Sequence, residues 1–100
     1  MEQGIDTLMR SLFYYPTTVE IETRKRIRVA VLAFAYEFGD KPLATDAEFD
    51  KLAQSIDLSV NTQRPDMDEW FRKEFEPDTG MWIHKHPQLD RIGEIYAMQS

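Results

Sequence analysis

The chain of 100 residues carries 18 acidic and 12 basic side chains, a formal net charge of −6, and 42% apolar residues, with 12 aromatic side chains. That length suits one domain able to bury roughly 60–65% of its unfolded surface, and the apolar content argues against disorder. Cysteine is absent, which excludes disulfides and thiolate chemistry. The acidic balance repels nucleic-acid phosphates and favours basic partners, so nucleic acid is not an expected partner. No apolar run has the length or flanks of a membrane span or signal peptide, and the expectation is a soluble protein of the cytoplasm.

In chain order the signals are helical. Ile5, Leu8, Met9, Leu12 and Phe13 recur at helix spacing until Pro16 ends the segment. Thr17 and Glu20 form a capping box that opens a long second helix, with Ile27, Ala30, Val31, Phe34 and Phe38 as its apolar stripe. Gly39 follows where a left-handed residue is least strained. Thr45 and Glu48 repeat the capping box, which starts a third helix at about Asp46 with Phe49, Leu52, Ala53 and Ile56 toward the core. Residues 57–63 are rich in Asp, Ser, Asn and Thr and read as a loop. Pro65 suits the first position of a fourth helix whose apolar face is Met67, Trp70, Phe71 and Phe75. Glu76-Pro77-Asp78-Thr79-Gly80 is a turn, and Pro87 opens a last helix with Leu89, Ile92, Ile95 and Tyr96 inward. No run alternates with period two, so the expected fold is all-α, a single helical domain of about five helices over residues 1–100.

The corner between the second and third helices concentrates chemistry. Asp46 and Asp50 are four apart and share one helical face, Phe49 is adjacent, and Tyr36 sits in the last turn of the preceding helix. An aromatic face beside carboxylates suits a planar cation or a ribose, whose hydroxyls the carboxylates accept. Acidic residues in a first turn also favour the helix dipole whatever the function. His84 and His86 form a His-x-His pair near Asp90, which is too few ligands for a metal site. Arg24-Lys25-Arg26-Ile27-Arg28 is the one basic cluster. Glu20 and Glu22 precede Arg24 and Arg26 by four residues, which reads as a paired, solvated face. Tyr14, Tyr15, Trp70 and Trp82 exceed the needs of a small core, and any of them left exposed is a candidate partner contact.

Tyr36, Asp40, Pro42, the run Asp46-Ala47-Glu48-Phe49-Asp50, and Leu52 together resemble the N-terminal Ia domain of bacterial NAD-dependent DNA ligases. Lys85-His86-Pro87-Gln88-Leu89 is similar to a Lys-His-Pro-Glu-Leu run in the same ligases, and the core motif occupies residues 35–52. The whole pattern looks closer to small stand-alone phage and prophage proteins related to these ligases. The resemblance implies a helical cap for the nicotinamide mononucleotide (NMN) half of NAD, with Tyr36, Glu37, Asp46, Phe49 and Asp50 at ligand-contacting positions. Glu37 stands where the ligases often carry histidine, and Phe49 where they carry tyrosine. A carboxylate at the first position repels the phosphate that histidine would meet, and Phe49 stacks without donating a hydrogen bond.

The ligase reaction needs a nucleophilic lysine in Lys-x-Asp-Gly, which does not occur here, and no other nucleophile has a recognisable elbow or base. The expectation is therefore a protein without catalytic residues, cofactor or metal. It would be a phage-type accessory protein of the host cytoplasm that binds a host or viral protein, for example as an inhibitor of a host complex. The rival expectation is a binding module for NMN or NAD at the Tyr36 corner.

Overall fold

The computed structural model describes residues 17–39 and 41–99. The apolar segment around Ile5–Phe13, with Tyr14, Tyr15 and Pro16, lies outside the described residues, as does Asp40 of the turn. Among the described residues the fold is all-α. It consists of α1 (Thr18–Glu37), α2 (Asp46–Gln54), α3 (Pro65–Glu74), a 3-10 segment (Met81–Lys85) and α4 (Leu89–Gln99). The central element is α1, against which α2, the 3-10 segment and α4 all pack.

Both expected capping boxes form. Thr17 accepts from the Glu20 amide at 3.1 Å while Glu20 accepts from the Thr17 amide, and Thr45 and Glu48 do the same for α2. Pro65 occupies the first turn of α3, where its missing N–H costs nothing. The middle of α1 is buried almost all round, through Val29, Ala30, Val31, Leu32, Ala33 and Ala35. Its alanines let three neighbouring elements approach the same helix.

Because α1 is covered from several sides, the expected single stripe does not describe it. Ile27 and Phe38 are 43% and 45% exposed, and Glu22 and Arg26 take interior positions one residue out of phase with that stripe. Arg26 is the hub of this interior network. Its Nε donates to Glu22 Oε2 at 3.0 Å and its Nη1 to Asp68 Oδ1 at 2.7 Å. Its Nη2 donates to the carbonyls of Asp57 at 2.8 Å and Val60 at 3.1 Å. Glu22 also accepts from the Asp57 amide, Asp68 accepts from the amide and hydroxyl of Thr62, and the guanidinium lies 5.4 Å from the centre of the Phe71 ring. No buried side-chain nitrogen or oxygen among the described residues lacks a partner, the condition under which buried charge is tolerated. Burial works to raise the Asp68 carboxyl, but the Thr62 hydrogen bonds and the Arg26 charge outweigh it and hold the carboxyl below its ordinary range. The basic cluster is thus solvated only in part: Arg24 and Arg28 are exposed and the expected Glu22–Arg26 pair forms, but that pair is interior, while Lys25 pairs with Glu22 and the Ser55 carbonyl and Arg28 donates to Gln99.

An aromatic cluster closes the α3 side of the core. Trp82 packs against Phe75 with ring centres 5.0 Å apart, Trp70 against Phe71 at 5.1 Å, and Trp70 against Trp82 at 6.0 Å. The Trp82 indole N–H donates to the Thr79 carbonyl at 2.7 Å. The last helix begins two residues later than expected. Pro87 and Gln88 form a turn before Leu89, and the Gln88 amide donates to His86 Nδ1 at 3.0 Å. Gly39 is not left-handed either, since no described glycine has positive φ. Glycine is required there by close approach: a Cβ would collide with the Tyr96 hydroxyl and lie 2.8 Å from the Ala35 carbonyl oxygen.

Candidate functional site

The Tyr36 corner assembles because α1 ends and α2 begins within a turn containing Pro42. Tyr36 belongs to the last turn of α1. Its hydroxyl donates a short hydrogen bond to Asp46 in the first turn of α2 and approaches the Ala44 carbonyl at 3.3 Å. The Phe49 ring meets the Tyr36 ring edge-on, with centres 5.6 Å apart and planes at 80°. The Tyr36 pKa is pushed up to about 12, first by the hydrogen bond to Asp46, then by burial and the charges of Asp46, Asp50 and Glu48. The phenol therefore stays protonated at neutral pH, as a donor committed to Asp46 and not as a base or nucleophile.

Tyr36, Pro42, Leu43, Ala44, Thr45, Asp46 and Glu48 line an open recess of about 550 Å³. A Tyr36 ring that is 38% exposed and a rim of carboxylates suit a flat or cationic group that stacks on the ring. Of the five expected ligand residues, Tyr36 and Asp46 line this recess. Asp50 is exposed and reaches Tyr36 only through its charge, and Phe49 is a buried core residue that backs the ring. Glu37 departs from the expectation. It turns away to His84 Nε2 at 2.8 Å, because the 3-10 segment brings His84 alongside the end of α1.

The histidine pair is split. His84 is exposed and bound to Glu37, with the Phe38 ring 4.6 Å from its own. His86 is buried against Trp70 and Phe71, and burial pushes its pKa down to about 4. Among the described residues no group of three or more His, Cys, Asp or Glu side chains could hold a metal ion. Nor is any described helix long and apolar enough to cross a membrane.

Neither tryptophan is left exposed, the condition under which either is a candidate partner contact. Trp82 is 4% exposed and cannot serve as a surface contact, because the cluster with Phe71, Phe75 and Trp70 encloses it. Trp70 is half-buried in the same cluster, and Tyr14 and Tyr15 lie outside the described residues. Large apolar side chains that are exposed include Phe38, beside His84, and Met81, the latter 60% exposed. No sequence signal marks this: Phe38 falls in the expected apolar stripe and Met81 directly follows the turn at residues 76–80.

Comparisons with protein-family models, with curated proteins and with solved structures gave no match.

Proposed function

We propose that the protein acts by binding and not by catalysis, as a small accessory protein that docks on a host or viral protein, in the manner of an inhibitor of a host complex. The observation that supports this reading is the apolar surface at the C-terminal end of α1. Tyr36 and Phe38 are exposed there, and the Glu37–His84 pair ties the 3-10 segment to the same end. Side chains three apart on a 3-10 segment eclipse, so Met81 shares the face of His84. Phe38, with its ring 4.6 Å from that of His84, and Met81 on the same segment give the surface beside this ion pair the composition of a contact hot spot. The test is affinity capture from host and infected-cell extracts, followed by reconstitution with the purified partner. A specific partner should be recovered whose binding is lost in Phe38→Ser and retained in Met98→Ser, a control at another exposed apolar position. Recovery of no specific partner, or equal loss in both variants, refutes the reading.

The recess itself favours a second reading, a binding site for the nicotinamide nucleoside end of NMN or NAD. Tyr36 offers a stacking face, and Asp46 and Glu48 offer acceptors for ribose hydroxyls. With Glu37 engaged by His84, no carboxylate from that position enters the recess. The carboxylate rim attracts a pyridinium ring more than a phosphate. Calorimetric titration with NMN should show saturable heat that disappears in Asp46→Ala, and no heat at millimolar ligand removes this reading.

A further inference from the structure

A separate cleft lies between the first half of α1, the loop before α3, α3 itself and the start of α4. Its volume is about 70 Å³, and Ile27, Met67, Phe71 and Ile92 supply apolar walls. By the space one buried water needs, it has room for a group of roughly five to seven non-hydrogen atoms. Three polar residues on its lining, His86, Arg64 and Gln88, have side-chain capacity that no hydrogen bond or ion pair among the described residues uses.

His86 is only 8% exposed. Its Nδ1 accepts the Gln88 N–H at 3.0 Å, so that nitrogen carries no proton and the neutral ring holds its proton on Nε2. Burial keeps the ring neutral at physiological pH. The Nε2–H has no hydrogen-bond partner among the described residues, and its flanking rings, Trp70 and Phe71, offer no acceptor. No buried nitrogen or oxygen among the described residues is unsatisfied, so Nε2 is not sealed from solvent, and the His86 side chain belongs to the lining of the cleft. Arg64, at the mouth before α3, makes no ion pair among the described residues. The other cation on the wall, Arg26, has its donors taken by Glu22, Asp68 and two carbonyls.

We propose that this cleft binds a small aliphatic carboxylate, with its hydrocarbon body against Ile27, Met67, Phe71 and Ile92, one oxygen accepting from His86 Nε2, and its charge facing Arg64. An apolar body alone would leave the buried donor unpaired, which costs free energy. An amine would place a cation beside Arg64, whose charge no ion pair among the described residues neutralises. A nucleoside exceeds the volume. This site shares no residue with the Tyr36 corner, so its fate is independent of the function proposed above.

The test is a titration of the full chain with isovalerate, followed by heteronuclear NMR of the imidazole and methyl groups. The His86 Nε2 resonance and the Ile27 and Ile92 methyls should shift saturably, with a dissociation constant in the millimolar range expected of so few atoms. Arg64→Gln, at an exposed position that does not threaten folding, should weaken binding roughly three- to tenfold. The neutral isostere isovaleramide should also bind more weakly than the acid. An unshifted His86 at roughly 100 mM isovalerate, equal binding of acid and amide, or shifts confined to Tyr36 and its neighbours would each overturn the proposal.

Discussion

Replacing Asp68 with alanine removes, at one stroke, the acceptor of the Arg26 Nη1 bond at 2.7 Å and of both Thr62 bonds. Arg26 stays enclosed with Glu22 as its one remaining carboxylate partner. Breaking one member of a buried ion pair costs about 3–5 kcal/mol, because the surviving charge is left without compensation. Against a total of about 5–15 kcal/mol for a domain of this size, that is a large share. At about 4–8 °C per kcal/mol it corresponds to a drop in Tm of roughly 12–40 °C. Urea unfolding followed by tryptophan fluorescence is the assay, since Trp82 is buried and Trp70 half-buried in the adjoining cluster. Asp68→Asn, which keeps the shape and one acceptor oxygen, should fall between the wild type and Asp68→Ala. A loss below about 1 kcal/mol in Asp68→Ala, the range of an ordinary surface pair, would refute the claim that this network is interior and structural.

Three further outcomes follow from other parts of the fold. Acid should destabilise the protein in two stages. The folded pKa of His86 lies below its unfolded value, so the unfolded chain binds more protons between about pH 6.5 and 4, and stability present above that window falls by at most about 3 kcal/mol across it. Asp68 is also depressed, so its contribution is present above the ordinary aspartate range and lost only as pH falls below about 4. His86→Gln should flatten the upper stage alone, as read from urea midpoints against pH. The phenolate absorbance of Tyr36 should titrate near pH 12 and move toward the ordinary tyrosine value in Asp46→Asn, while an unchanged midpoint would deny the hydrogen bond its leading role. Gly39→Ala should cost about 1–3 kcal/mol by overpacking against the Ala35 carbonyl and Tyr96, measured as a lowered Tm, and Tyr96→Ala should relieve only the part due to the ring, leaving the backbone clash.

What the sequence discloses is what neighbouring residues decide among themselves. Thr17 with Glu20, Thr45 with Glu48, and Pro65 mark three helix starts within one turn of the chain, and all three form as expected. The contact of Tyr36 with Asp46 is legible for the same reason, since ten residues and a short turn separate them. The exceptions depend on partners far along the chain. Glu22 and Arg26 have the spacing of a surface ion pair, and only the return of Asp57, Val60 and Asp68, up to 42 residues away, makes them interior. Glu37 is diverted by His84, 47 residues on, and Gly39 answers to Tyr96. Trp82 is buried because Phe71 and Phe75 arrive from another helix.

The Arg26 network has a further consequence for a chain without cysteine. One guanidinium fastens residues 22, 57, 60 and 68, and so acts as a cross-link where other small domains place a disulfide. Unlike a covalent bridge it places no restriction on the unfolded chain, so its whole effect appears only when the native loop closes. Such a fastener is indifferent to redox potential and re-forms without an oxidant. The loop it holds should therefore open and reclose intact in a reducing solution as readily as in an oxidising one.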